Sequence, residues 1–339
     1  MASFNKITVQ QIAAQAGVSP ATVSRVINHR ELVKEETLKQ VEATMKQLGA
    51  ILPEASKSKT TDQPVIILNI PNINNIFYTE VIRGATTSAK AHGCHLLISQ
   101  SPLDHGSISV FYHLIKRVHA AGVILLNQIS SELLNQLNNL LPIIQCCEYN
   151  HESEVPYVSI DDYAAALNAT DYLISSGKNK IAFINGPLTY KYARDRRSGF
   201  LDALSNADLV IPKNWLIQLP EVNYDMAYAA ACQLLTDEVI PNAFFTASDT
   251  LAAAVIRAAK RYHYNVPKDI TVVGFDNIEL SSMFSPTITT VNQPKFQMGF
   301  SACEMLLEKI SNPNFATRSI LLDTELIIRE STSSSLSKL

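Results

Sequence analysis

From Pro64 onward, short apolar, β-branched runs alternate with longer helical stretches, and no other feature restricts the fold of this chain so strongly. The first runs are VIILNI (65–70), HLLIS (95–99), GVILLN (122–127) and PIIQCC (142–147), with a helix to about His92 after the first. A second set follows, YVSI (157–160), KIAFIN (180–185), WLIQL (215–219), AFFTA (243–247) and ITVVGF (270–275), its members separated by helical stretches. Continuous apolar strands alternating with helices form α/β folds, with doubly wound parallel sheets covered on both faces. There are too many strands for one compact lobe, so two lobes are expected: about 64–160 with 292–322, and about 161–291 with 323–335. The chain's 339 residues, 47% of them hydrophobic, can supply both cores.

Ligands of such sheets sit beyond the carboxyl ends of the strands. The residues there are Phe77 and Tyr78, Glu148 and Tyr149, Asp161, Tyr190 to Arg196, Asp249, and Asp276 with Asn277. Carboxylates accept hydrogen bonds from vicinal hydroxyls, Arg196 offers a planar fork of donors, and Phe77, Tyr78, Tyr190 or Tyr192 can stack on a flat ring. Each also has a plainer reading. Asp161 and Asp249 stand where helices begin and serve equally as N-caps. Arg196, in RDRRSGF, fits a solvated helix charge, and Phe77 with Tyr78 fits a subunit interface.

Ahead of this body, residues 1–49 read as a separate three-helix domain. Thr8 and Gln11 form a capping-box pair before a helix with Val9, Ile12, Ala13 and Ala16 on one face, and Gly17 stops it. Ser19 can cap a second helix with Pro20 at its first position. Val23, Val26 and Ile27 form its buried stripe, leaving Ala21, Thr22, Ser24, Arg25 and Asn28 on or beside the outward face. A third helix, about Glu35 to Leu48, turns Leu38, Val41, Met45 and Leu48 inward. Two short helices joined at a glycine and braced by a third make a helix-turn-helix, whose second helix lies in the DNA major groove. A capped surface hairpin in some other bundle is the alternative. Charge favours DNA: residues 1–60 carry eight Lys or Arg against five acids, +3, so the remainder, 20 against 26, carries −6 within a net −3.

The stretch ITVQQIAAQAGVSPATVSRVIN closely resembles the start of the LacI/GalR family of bacterial transcription repressors. The likeness extends over essentially the whole chain through NGPLTYKYARDRRSGF, TASDTLAAAVIRAAK, VPKDITVVGFDN and TTVNQPKFQMG. The resemblance implies a helix-turn-helix domain joined to a two-lobed, periplasmic-binding-protein-like domain that binds a small-molecule effector. It assigns Pro20, Ala21 and Arg25 to base reading, and Thr8, Ser19, Thr22, Ser24 and Asn28 to phosphate contacts. Phe77 and Tyr78 correspond to the aromatic pair facing the ligand, Arg196 to the effector-binding arginine and Asp276 to the aspartate that grips sugar hydroxyls, while Asp161 and Asp249 match further cleft positions. Tyr190 and Tyr192 depart from the purine-responsive members, and Val222 replaces an aromatic that stacks the base there, which speaks against a purine base.

Within the family, CEYNHESEVPYVSIDD, GFDNIELSSMFSPTITTVNQP and LLDTELIIREST resemble the members that respond to cytidine. A nucleoside effector is therefore implied, together with a homodimer on a near-palindromic operator and the cyclic-AMP receptor protein as a neighbour on DNA. LSSMF (280–284) and the helix from Asn75 to Ala91 are candidate dimer surfaces, with lobe core as the alternative. The hinge, residues 50–63, departs from the family: Ala50 stands where a tyrosine is usual, and no leucine after Leu52 is available to wedge into the minor groove. The expectation is a weakly helical or unstructured tether, with Lys57 and Lys59 adding phosphate attraction.

Other functions find little support. No apolar run approaches the eighteen or so residues of a membrane span, and Met1 to Lys6 leads into Ile7 and Thr8 without a charged-then-apolar leader, so the expected place is the cytoplasm rather than the periplasm of solute-binding proteins. There is no GxxxxGK[ST], GxGxxG or HExxH, and neither catalytic residues nor a cofactor are expected. The five cysteines, Cys94, Cys146, Cys147, Cys232 and Cys303, lack metal-type spacing and read as reduced core residues; HGCH (92–95) reads as a helix end running into a strand. The tail STSSSLSKL has no leucine heptads of the kind that build tetramers.

Overall fold

A computed structural model describes residues 8–28, 33–48, 63–312 and 318–333, and the chain divides into two compact units, 1–63 and 64–339. The expected hinge, with Ala50, Lys57 and Lys59, lies outside the described residues, as does most of the serine-rich tail.

The first unit holds α1 (Val9–Gln15), α2 (Pro20–Asn28) and α3 (Glu35–Gln47). Thr8 and Gln11 form a full capping box, and Gly17 turns the chain at φ +63°, a conformation that favours glycine. Ser19 Oγ accepts from Thr22 N at 3.1 Å, capping α2. Ile12, Ala13, Ala16, Val23, Val26, Val41 and Met45 make the core, and Gln40 Nε2 ties α3 to the Ala16 carbonyl at 3.0 Å. Val9, expected inward, is 40% exposed: it stands at the first position of α1, a turn ahead of the buried Ile12 and Ala13.

The second unit begins with β1 (Val65–Asn69), α4 (Phe77–Ala91), β2 (His95–Ser99), α5 (Ile108–Arg117), β3 (Ala120–Leu125), α6 (Ser131–Asn138), β4 (Ile143–Cys146) and β5 (Tyr157–Ile160). It continues through α7 (Asp162–Ser175), β6 (Ile181–Asn185), α8 (Lys191–Asn206), β7 (Leu216–Gln218), α9 (Tyr224–Leu234), β8 (Ala243–Thr246), α10 (Asp249–Arg261), β9 (Thr271–Asp276), α11 (Glu279–Met283) and β10 (Thr289–Asn292). The last elements are α12 (Lys295–Ser311), β11 (Ile320–Leu322) and β12 (Glu325–Ile327). They form two six-stranded sheets, ordered β11-β5-β4-β3-β1-β2 and β12-β10-β9-β8-β6-β7. All pairings are parallel except β10 with β12.

Two corrections to the strand reading follow. Tyr157–Ile160, named with the second set of runs although the expected first lobe extends to 160, pairs with β4 in the first sheet, and no helix separates the two. β10, β11 and β12 escaped the reading because they are only three or four residues long, and β10 and β12 are polar in part. The chain thus passes between lobes after β5, after β10 and again after β11. On the second of these passages α12 packs along α4 so closely that a Cβ on Gly84 would strike the Phe296 carbonyl, and one on Gly299 the Val81 carbonyl. The α4 face carrying Val81, Ala85, Ser88 and Ala89 is accordingly lobe core rather than free surface.

Central strands are apolar because both faces are covered: Ile66 and Leu68 meet one buried cluster, Ile67 the other beneath α5 and α6. The five cysteines are free, three of them buried. His92 Nε2 lies 3.1 Å from Glu304 Oε1, and Cys94 is buried in the turn into β2. No helix among the described residues is long and apolar enough to cross a membrane.

Candidate nucleic-acid interface and ligand cavity

The outward face of α2 follows directly from its capping. With Val23 and Val26 fully buried, helical geometry turns Pro20, Ala21, Ser24 and Arg25 to the exposed side as one i, i+1, i+4, i+5 patch. Thr22 is half-buried, its hydroxyl 2.8 Å from Ser19 Oγ. Thr8 and Ser19 are exposed but also engaged as caps, so each serves the helix ends before any partner. Asn28 closes α2, and its side chain falls outside the described residues. The patch presents short hydroxyls and one long cation, and it leaves room for a groove to approach the backbone.

In the second unit, loops at the carboxyl ends of the strands surround a cavity of about 610 Å³. Phe77, Tyr78, Tyr190, Tyr192, Arg196 and Asp276 line it. Phe77 and Tyr78 meet edge to face at 5.3 Å, while Tyr190 and Tyr192 stack at 5.6 Å and 27°. Arg196, almost fully buried, lies 3.4 Å over the Phe275 ring and 4.8 Å from that of Tyr192. Its Nε donates to Asp162 Oδ1 at 2.9 Å, its Nη1 to the Ala247 carbonyl at 2.8 Å, and Nη1 stands 3.8 Å from Asp276 Oδ1. The solvated-charge reading of Arg196 is thereby excluded, since the guanidinium is clamped between rings and carboxylates.

Asp276 ends β9 at φ +98°, followed by Asn277 at φ +50°, and non-glycine residues hold such conformations only when their surroundings fix them. Here Gln293 Nε2 donates to Asp276 Oδ1 at 2.7 Å and Lys295 Nζ grips the Asp276 carbonyl. Burial raises the Asp276 carboxyl above its ordinary value, against the pull of Arg196.

Two expected residues do not line the cavity. Asp161 is exposed and caps α7, accepting from Ala164 N at 2.9 Å; its neighbour Asp162 turns inward instead. Asp249 is fully buried behind the wall, where its Oδ2 accepts from Ile278 N at 2.8 Å and its Oδ1 has no hydrogen-bond partner among the described residues. A side chain at Gly274 would collide with that Oδ1, so Asp249 fills a niche that only glycine leaves open. Desolvation, with the nearby Asp276 charge, pushes its carboxyl up to about 8. Ser248, not Asp249, is the side chain that caps α10.

Three charged residues acquire roles that the sequence reading had not assigned. Asp162 accepts from both Arg196 and Lys191, the latter at 2.9 Å. Lys191 is 1% exposed; burial would depress it, but Asp162 and Asp195, 2.9 Å away, hold it above its ordinary value. Glu148, from the loop after β4, accepts from the backbone N–H groups of Lys191 at 2.8 Å and Tyr192 at 3.1 Å, binding the first lobe to α8 of the second. Burial raises its carboxyl to about 7 even though those two N–H groups oppose it. Asp162 was detectable as the second residue of the D-D pair at a helix start. The partners of Glu148, 43 and 44 residues away, carry no local signal.

Comparison with known proteins agrees with both halves. Residues 8–50 match "Bacterial regulatory proteins, lacI family", and residues 170–332 match "Periplasmic binding protein-like domain". The HTH-type transcriptional repressor CytR of Escherichia coli (strain K12) is 31% identical over 331 residues, covering 96% of each chain. The ribose operon repressor of the same strain is 30% identical over 329 residues, 96% of this chain and 99% of that one. Among solved structures, the "transcriptional regulator CelR-cellobiose complex" superposes with a TM-score of 0.72 at 27% identity, covering 96% of this chain and 100% of the other.

Proposed function

Given that this chain belongs to the LacI family of DNA-binding transcriptional repressors, we propose that its effector is a nucleoside, cytidine being the first candidate, and that it acts as a homodimer. The observation carrying the effector reading is the composition of the cavity walls. Flat aromatic rings at Tyr190 and Tyr192 suit a base, while the fixed carboxylate of Asp276 and the amide of Gln293 suit ribose hydroxyls. The similarity to the CytR repressor supports the same choice.

On DNA, a dimer places two α2 helices about one turn apart, roughly 34 Å, on a near-palindromic operator. Pro20, Ala21 and Arg25 face base edges; Thr8, Ser19, Thr22, Ser24 and Asn28 face phosphates. The ligand shifts operator affinity only through its different affinity for two lobe arrangements. Met283, 75% exposed in the LSSMF segment, supports that segment as part of the dimer surface. The cyclic-AMP receptor protein as a DNA-bound neighbour rests on the resemblance, and a footprint with and without it tests the assignment.

A thermal-shift screen against cytidine, uridine, adenosine, free bases, ribose and hexoses decides the effector class. A ligand at a hundred times its Kd adds about 2.7 kcal/mol. A shift with cytidine supports the reading; a shift with a hexose and none with any nucleoside discards it in favour of a sugar. Asp276→Asn is expected to weaken a ribose-bearing effector while leaving operator affinity unchanged, and unaltered effector affinity removes Asp276 from the site.

A further inference from the structure

The N-terminus of α8 opens beside the cavity, where a phosphorylated ligand would find its natural cradle. The helix runs for 16 residues, Tyr190 at its N-cap supplies no side-chain cap, and Tyr190 and Tyr192 both line the cavity. Free backbone N–H groups and the helix dipole at such an end bind phosphate in many folds. Here the place is taken. Glu148, itself a wall of the cavity and 5% exposed, directs one carboxylate oxygen at Lys191 N and the other at Tyr192 N.

No cation remains to compensate. Among the described residues lining the cavity, Arg196 is the one Lys or Arg, and it shares that lining with Glu148, Asp162, Glu221 and Asp276. Its Nε and Nη1 already donate to Asp162 and the Ala247 carbonyl, its Nη2 lies 2.8 Å from Asp162 Oδ1, and Asp276 stands alongside. Lys191 points away from the opening into Asp162 and Asp195, beneath the Tyr149 ring at 4.6 Å. Lys295 turns to the backbone carbonyls of Asp276 and Asn277. A phosphate entering this space would displace no water-exposed cation; it would meet carboxylates in a low dielectric.

We infer that Glu148 is a specificity determinant: its carboxylate occupies the place of a ligand phosphate at the N-terminus of α8, so the cavity accepts a neutral polyhydroxy ligand and rejects its phosphorylated form. The inference rests on the effector reading only for the choice of nucleoside; the exclusion applies to any phosphorylated ligand. Removing the carboxylate exposes the two N–H groups and creates an anion cradle that the wild-type protein lacks.

Calorimetric titration of the full chain at pH 8, above the raised value of Glu148, with cytidine against cytidine 5′-monophosphate, and with ribose against ribose 5-phosphate, tests the exclusion directly. In whichever pair binds, the phosphorylated member is expected to be weaker by a factor of about a hundred. Equal affinity within a pair overturns the inference. Inorganic phosphate serves as the second probe. Glu148→Ala is expected to gain a phosphate-dependent rise in Tm that neither wild type nor Glu148→Gln shows, because glutamine still fills the cradle. A purely structural cap would lose stability in the alanine variant without gaining phosphate binding, and that result also overturns the inference. If no nucleoside binds while the ribose pair or the phosphate response behaves as stated, the nucleoside reading falls and the role of Glu148 stands.

Discussion

The two surfaces proposed for function are built on opposite principles. On α2, Ala21, Ser24 and Arg25 are exposed on a helix whose stability comes from its other face and its caps. Around the cavity, Arg196, Asp162, Lys191 and Glu148 are buried and bound to one another before any ligand arrives. A surface that meets a long polyanion at many positions keeps its side chains exposed to solvent. A cavity that must distinguish small molecules fixes its groups in advance, since buried polar groups already in place need not be reordered on binding. Fold stability and recognition are therefore separable in the first region and entangled in the second.

The largest expected effect breaks the second network. Arg196→Ala leaves Asp276 without its neighbouring guanidinium and Asp162 with Lys191 alone, and the expected loss is about 3–5 kcal/mol of unfolding free energy together with effector binding. Denaturant titration with and without effector checks it; a variant as stable as wild type would show that the network is not pre-built. Arg25→Ala is the counterpart on α2. It should weaken operator binding by about 1–3 kcal/mol with no change in Tm, read by fluorescence anisotropy across operator variants.

The buried carboxyls sharpen the contrast through pH. Glu148 and Asp249 keep their protons in the folded chain to about 7 and about 8, whereas in the unfolded chain they release them near 4.5 and 3.8. Between these limits the folded state binds more protons, so this contribution is complete at the acid end and is lost as pH rises through the folded values. The Tm of the second unit should fall from pH 5 to pH 8 on this account, and Asp249→Asn should flatten that slope, as calorimetry at several pH values would show. An unchanged slope would assign the pH dependence elsewhere.

The smallest effects compare two caps of the same chemistry. Ser19→Ala and Asp161→Ala should each cost about 1 kcal/mol of stability. Ser19→Ala should also weaken operator binding if its exposed hydroxyl meets a phosphate as proposed, whereas Asp161→Ala should leave effector affinity untouched. An effector defect in Asp161→Ala would return that residue to the cavity.

The same contrast explains what was legible in the sequence. The first unit is governed by local rules: Thr8 with Gln11, Gly17, then Ser19 with Pro20 each act within four residues, and the structure follows them closely. The central strands were equally readable, because Ile66 to Leu68 and Val272 to Phe275 need apolar side chains on both faces. What escaped depends on distant partners. In the D-D pair at α7 the first aspartate satisfied the helix end, and only the fold reveals that the second meets Arg196, 34 residues on. Lys191 sits in RDRRSGF-adjacent sequence that looks solvated, yet two aspartates and a ring bury it. β11 and β12 are recognisable as strands only beside β5 and β10, which give their short runs a partner.

Those two late strands carry a consequence for how the chain is made. β11 forms one edge of the first sheet and β12 one edge of the second, and both come from residues 320–327. Neither sheet can be completed until residues 320–327 have been synthesised, since both take an edge strand from that one short segment. Until then β5 and β10 present unpaired backbone, the kind of edge that neighbouring chains can join. A premature stop after α12 would therefore do more than shorten the protein: it would open both sheets at once and favour aggregation over a half-active product.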